Sequence, residues 1–221
     1  MISNVKIYGE RCSGTNYLEI LIRKNFKVNI LNQYGFKHFF GFHTLENSDN
    51  TLFICIIRDS YSWLNSLYEK KWHLSPLQRM DKKKFLYTEH WSYFDDSRHH
   101  GENYGKEIME DRNIYTKERY KNILELRYTK IKWMLYSLPK LVKHSIILRY
   151  EDLLENFEYI MRTLSLKGLP ILYSSTFPEN HTEYKHSNKK YNPKQYYKIK
   201  KEEIENHPSF EKTLENELLY Y

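Results

Sequence analysis

An α/β domain, with a mainly parallel central sheet flanked by helices, is the fold predicted for this chain of 221 residues. Three observations predict it. Short apolar segments of strand character alternate with longer stretches of helical periodicity, the pattern of successive βα units. One of those segments, Leu52-Phe53-Ile54-Cys55-Ile56-Ile57, is apolar without interruption, as a strand covered on both faces must be. A turn-prone stretch, residues 9–16, joins the first strand to the first helix, where α/β folds place their anion-binding loops. No repeat and no low-complexity linker interrupts the pattern, so residues 1–221 are expected to form one domain.

The elements follow in order. Val5-Lys6-Ile7-Tyr8 has the length and β-branched content of a strand. Residues 15–24 place Leu18, Leu21 and Ile22 at helical spacing. Residues 28–31 form a second strand candidate and residues 52–57 a third. A helix is expected over 60–70. Residues 71–115 are polar, aromatic and irregular, an excursion or lid of the kind that carries function inside a compact domain. Residues 117–138 put Tyr120, Ile123, Leu124, Ile131, Met134, Leu135 and Leu138 on one stripe, which predicts a long amphipathic helix. Arg127 falls on that stripe, where it either snorkels to water or points into a site. Residues 145–149 are a fourth strand, a helix is expected over 151–165, and the tail, 200–219, has helical character.

Composition excludes several classes. The 21 Tyr, 11 Phe and 4 Trp outweigh a mean hydropathy of -0.78, because disordered chains are poor in aromatics. No apolar run reaches the roughly 18 residues that a membrane helix needs. No basic stretch followed by an apolar core opens the chain, so no leader is expected and a cytoplasmic setting is the default. Two cysteines, Cys12 and Cys55, make no disulfide framework. The net charge of +7 has two sources: an anionic partner, or the Lys, Asn, Ile and Tyr enrichment of an AT-rich genome. Nucleic acid is the disfavoured partner.

Gly9-Glu10-Arg11-Cys12-Ser13-Gly14-Thr15-Asn16 stands in the context of a phosphate-binding loop. Backbone N–H groups and the helix dipole at such a junction hold an anion. The glycine spacing matches that of nucleotide triphosphatases, yet Thr15 stands where their lysine neutralises the β/γ-phosphates. That exchange argues against kinase chemistry. The apolar strand of residues 52–57 ends at Arg58, at the edge where open sheets bind ligands. Ser66 lies two helical turns further on, so Arg58 and Ser66 can meet at one anion.

At these residues the chain resembles the sulfotransferase family. Ser13-Gly14-Thr15-Asn16 is similar to the family's loop for the 5′-phosphosulfate. Arg58 with Ser66 resembles its 3′-phosphate site, and Leu148-Arg149-Tyr150-Glu151-Asp152-Leu153 resembles its segment before a late helix. The resemblance implies a nucleotide-hydrolase-like P-loop architecture and the cosubstrate 3′-phosphoadenosine 5′-phosphosulfate, with no metal. It also implies transfer of the sulfuryl group to a hydroxyl or amine of an acceptor, a carbohydrate or a small molecule. Cosubstrate contacts then fall to Arg11, Cys12, Ser13, Gly14, Thr15, Asn16, Arg58 and Ser66, and to Lys189 and Lys190 in a late basic run with Tyr184, Lys185 and Tyr191. Cys12 holds the place where the family has a basic residue, so Arg11 is expected to reach the transferring sulfonate. His38 is the candidate general base, ahead of His43 and Glu46, and Lys37 the stabiliser of the bridging oxygen. Two other readings stay open: a P-loop kinase-like nucleotide enzyme, and a non-catalytic nucleic-acid or glycan-binding module.

Overall fold

Four parallel strands lie in the order β2-β1-β3-β4 in the computed structural model, which describes residues 1–172, 183–184, 187–190 and 195–221, with the side chains of residues 99, 100, 154 and 183–190 outside the description. They are β1 (Asn4–Gly9), β2 (Asn29–Ile30), β3 (Thr51–Ile57) and β4 (Ser145–Arg149). Helix α1 (Thr15–Asn25) follows β1, and α2 (Ser60–Lys70) follows β3. The excursion carries α3 (Lys82–Tyr87) and α4 (Ser97–His100). Then come α5 (Ile123–Lys132), a π-turn over Trp133–Ser137 and α6 (Leu138–Leu141). After β4 stand α7 (Tyr150–Glu155) and α8 (Phe157–Leu166), a two-stranded hairpin of β5 (Glu183–Tyr184) and β6 (Ser187–Lys190), and the tail helices α9 (Lys201–Glu205) and α10 (Lys212–Glu217). No helix among the described residues is long and apolar enough to cross a membrane.

Every residue of β3 is buried, and the strand pleat explains how. Successive side chains alternate between faces. Phe53, Cys55 and Ile57 join Tyr8 and the α2 residues Trp63, Leu64 and Leu67 in one core, which also takes in the α5 residues Ile123, Leu124 and Ile131. Leu52, Ile54 and Ile56 join Val5 and Ile7 in a second core against Leu18, Leu21 and Ile22 of α1 and Ile160, Met161 and Leu164 of α8. The uninterrupted apolar run is therefore the sequence of a central strand sandwiched between two helical layers.

Three expected helices differ in their limits. The stripe of 117–138 is buried as expected, but the helix starts at Ile123. Asn122 caps it by accepting from the amides of Leu124 and Glu125, while Tyr120 instead pairs with His90 through both backbone hydrogen bonds. Its far end widens into the π-turn just before Pro139, whose missing N–H cannot serve the carbonyl one turn back. The helix expected over 151–165 breaks at Asn156, and the one over 200–219 breaks around Pro208. The excursion of 71–115 is tied together by backbone pairing. Bridges Leu74↔Ser92, His90↔Tyr120 and Tyr93↔Glu107 stitch it together, and His90, Ser92 and Asp111 are buried within it.

Candidate functional site

The chain leaves β1 for β2 on one side and returns through β3 on the other, so the crevice between the carboxyl ends of β1 and β3 is the topological switch point, the place where open sheets bind ligands. Residues 9–16 leave β1 at this edge, and Arg58 leaves β3. Register places Gly9 beside Ile56 and Ile57 beside Arg149, which brings Arg58 next to Tyr150.

Two glycines give the loop its shape. A Cβ on Gly9 would lie 2.7 Å from Ile56 Cγ2 and from Ser13 Oγ. Gly14 caps α1 at φ +93°, and a Cβ there would come within 2.4 Å of the Tyr150 ring. Cys12 between them also holds a positive φ of 64°, a conformation that costs a residue with a side chain. The turn is closed by Ser13, whose amide and hydroxyl both donate to the Glu10 carbonyl, at 3.1 and 2.6 Å. No side chain among the described residues caps α1, so the first-turn amides of Thr15 and Asn16 stand at the positive end of the dipole without a side-chain acceptor.

Arg58 meets the loop. Its Nη1 donates to the Cys12 carbonyl at 3.1 Å and its Nε to Ser62 Oγ at 2.9 Å. The guanidinium stacks on Tyr150, 4.7 Å from the ring centroid, and Nη2 has no hydrogen-bond partner among the described residues. Ser66 lies beside the Cys12 thiol and favours its ionised form, but burial pushes that thiol up, so it stays protonated. Loop, Arg58 and Ser66 thus converge on one spot. Asp59 caps α2 through the amides of Tyr61 and Ser62, while its own amide donates to Glu151 at 3.1 Å. Although burial pushes it up, hydrogen bonds from the Ser62 hydroxyl and amide hold the Asp59 carboxyl below its usual range, and burial with the neighbouring Asp59 charge pushes Glu151 up. Tyr150 and Glu151 stand in the 148–153 segment and Asp59 directly follows Arg58, but the motifs give none of the three a role at the loop.

Lys37 and His38 flank the same helix start. Lys37 Nζ donates to Asn16 Oδ1 and lies 3.6 Å from Glu19. His38 Nδ1 sits 2.7 Å from the Gly9 carbonyl. A carbonyl only accepts, so Nδ1 carries the proton and Nε2 is left as the lone-pair nitrogen. Nε2 makes no hydrogen bond among the described residues. Burial, and the cations Lys37, Arg11 and Lys130 around it, hold His38 well below the usual histidine range although the Gly9 carbonyl pulls it up.

Arg11 requires a correction. It was expected at the sulfonate, but only 5% of it is exposed and its guanidinium is consumed elsewhere. Nη1 donates to Ser92 Oγ at 2.6 Å and pairs with Asp111 at 2.9 Å, and Nη2 lies 3.3 Å from His90 Nε2. Lys130 completes the cluster through Asp111 and the His38 carbonyl. Arg11 therefore bolts the excursion to the loop. Arg127 neither snorkels nor lines the crevice. It is fully buried, paired with Glu10 at 3.1 Å and Glu215 at 2.8 Å, and donates to the Arg58 carbonyl at 2.9 Å. His43 pairs loosely with Glu110 at 3.8 Å, and Glu46 is exposed, so neither joins the loop. The side chains of Tyr184, Lys189 and Lys190, and all of Lys185 and Tyr191, lie outside the described residues, as do the His99 and His100 side chains.

His90 is held neutral inside this cluster. Gln78 Nε2 donates to the Phe85 carbonyl, which aims Gln78 Oε1 at His90 Nδ1, 2.8 Å away. Nδ1 then bears the proton, and Nε2 accepts from Arg11. Burial and the Arg11 charge push His90 down to about 3; burial also lowers His73 and His207. These folded-state values lie below the unfolded value near 6.5, so their contribution is complete above that pH and is lost as pH falls. Glu10 and Glu151, pushed up by burial, oppose that slope but are fewer. Unfolding free energy from urea titrations should therefore drop by about 2 kcal/mol between pH 7 and pH 5. A flat profile over that range would show that these histidines are not held neutral.

Among the described residues no His, Cys, Asp and Glu group could hold a metal ion. Comparison of the chain with protein-family models, with curated proteins and with solved structures finds no match, which leaves its activity to be argued from residues 9–16, 37–38 and 58–66.

Proposed function

We propose that the protein is a sulfotransferase that moves a sulfuryl group from 3′-phosphoadenosine 5′-phosphosulfate to a hydroxyl or amine of an acceptor. The observation that carries this reading is the convergence at the switch point: Arg58 Nη1 reaches the loop at the Cys12 carbonyl, beside Ser66 and an uncapped α1 start. Two anion-binding elements so close together suit a nucleotide with phosphates at two positions. The residues present fit it. The Thr15 and Asn16 amides suit the 5′-phosphosulfate, and Arg58 Nη2 with the Ser66 hydroxyl suits the 3′-phosphate. Thr15, in place of the lysine of triphosphatases, leaves the loop less cationic than a triphosphate requires.

When bound, the nucleotide supplies the sulfuryl group: the acceptor oxygen or nitrogen forms the new bond to sulfur, the bond to the 5′-phosphate breaks, and its electron pair leaves on 3′-phosphoadenosine 5′-phosphate. His38 Nε2 takes the acceptor's proton, held in the correct tautomer by the Gly9 carbonyl. Lys37, anchored on Asn16 at the mouth of the loop, places a positive charge where negative charge grows on the bridging oxygen. Arg11 acts from behind, by fixing the loop to the excursion.

Calorimetric titration with 3′-phosphoadenosine 5′-phosphate tests the reading. Wild-type protein should bind in the micromolar range or tighter, and Arg58→Ala should weaken binding about 10- to 100-fold, as loss of a charged hydrogen bond does. Ser66→Ala should cost about three- to tenfold. No heat of binding at high micromolar nucleotide, or tighter binding of ATP with Mg²⁺, would overturn it.

A further inference from the structure

Past the C-terminal end of α2 an open cleft of ≈ 330 Å³ lies between Lys70, Lys71 and Trp72 on one side and Asp96, Arg98 and Tyr104 of the excursion on the other. Its two rings are uncovered: Trp72 is 53% exposed and Tyr104 55%. Arg98 lies flat against Asp96, with Nε 3.1 Å from Oδ1 and Nη2 3.0 Å from Oδ2. This planar pair offers donors and acceptors side by side. Lys71 Nζ spends one proton on the Arg79 carbonyl at 2.8 Å and keeps two. Counting Arg79 and Asp95, also in the lining, four cations face two carboxylates, so the cleft carries an excess of positive charge.

A chain of contacts runs from the cleft toward the candidate base. Asp95 accepts from the His73 amide at 2.9 Å, and the His73 ring meets Phe39 edge-on at 5.9 Å. Phe39 follows His38 in the chain. The walls discriminate among acceptors. A phenol or steroid calls for an enclosed apolar slot, whereas here charged groups outnumber the two rings and the cleft is open. A hydroxyl-rich ring uses both surfaces, its C–H face on an aromatic side chain and its hydroxyls on mixed donors and acceptors. The surplus cations call for an anionic substituent.

We propose that this cleft seats the acceptor, and that the acceptor is a saccharide carrying a carboxylate or a sulfate. The word acceptor rests on the sulfuryl-transfer reading; the saccharide site does not. Calorimetry with three tetrasaccharides tests it: unsulfated chondroitin, carboxyl-reduced sulfated chondroitin, and uncharged chitotetraose. At least one acidic probe should bind about tenfold tighter than chitotetraose, and whichever acidic probe binds names the anion. Trp72→Ala and Arg98→Gln, both at exposed positions, should each weaken that binding about tenfold or more. Both variants should titrate with 3′-phosphoadenosine 5′-phosphate as wild type does. Equal binding of charged and uncharged saccharides, no saccharide binding, or variants that bind like wild type would overturn the proposal. Saccharide binding with the expected variant pattern but no nucleotide binding would uphold the cleft and sink the sulfuryl-transfer reading instead.

Discussion

His38→Gln should lower kcat by about 10²- to 10⁴-fold while leaving the affinity for 3′-phosphoadenosine 5′-phosphate within about twofold of wild type. The split follows from geometry. Nδ1 is committed to the Gly9 carbonyl at 2.7 Å, and a glutamine amide can make the same donation, so the loop keeps its shape. What glutamine lacks is the basic lone pair that Nε2 offers. The pH profile adds a second signature. Burial and three nearby cations hold His38 well below the usual histidine range, and a lowered value means that the neutral, basic form persists as pH falls. The acid limb of kcat/KM should therefore lie below pH 6.5, not at it, and should vanish with His38. A variant within about threefold of wild-type kcat, or one that keeps the same acid limb, would move the base to another residue.

Much of this site was legible because its information is local. The loop of residues 9–16 is one stretch between a strand and a helix, and Arg58 and Ser66 lie on one strand-to-helix turn. Lys37 and His38 were placed by position alone, and the fold brings them to the same helix start through the Gly9–Lys37 and Gly9–His38 hydrogen bonds. Arg11 shows the opposite case. Its partners Ser92 and Asp111 come from an excursion without periodicity, and no local pattern announces that two buried groups there await a guanidinium. Helix limits failed for a similar reason. Residues 117–122 have helical spacing, yet Tyr120 gains two backbone hydrogen bonds to His90, a tertiary contact that outweighs local preference.

Glu10 and Arg11 are adjacent, and they feed two buried ion clusters, Glu10 that of Arg127 and Glu215 and Arg11 that of Asp111 and Lys130. Arg127 is the hub of the first of these clusters. It is fully buried, and it ties Glu10 of the loop, Glu215 of α10 and the carbonyl of Arg58 together. Arg127→Met should cost about 3–5 kcal/mol, because removing one partner leaves the others as uncompensated buried groups. In a domain of this size that corresponds to a Tm lower by roughly 6–20 °C.

The loss should also depend on pH, with a sign that identifies its cause. Burial already pushes Glu10 up to about 7, and Arg127 is the largest influence holding it down. Without Arg127 the folded-state value rises further. A raised value means that the folded protein takes up a proton at a pH where the unfolded chain does not, so the penalty is largest above that value and shrinks as pH falls toward 4.5. Urea unfolding of the variant at pH 8.5, 7 and 5.5 should show a deficit that narrows at each step. Adding Glu10→Gln to Arg127→Met should recover about 1 kcal/mol or more at pH 8.5, since the amide carries no charge to strand. A deficit below about 1 kcal/mol, or one indifferent both to pH and to Glu10→Gln, would mean that Arg127 contributes packing alone and that the loop owes its position to the Arg11 cluster.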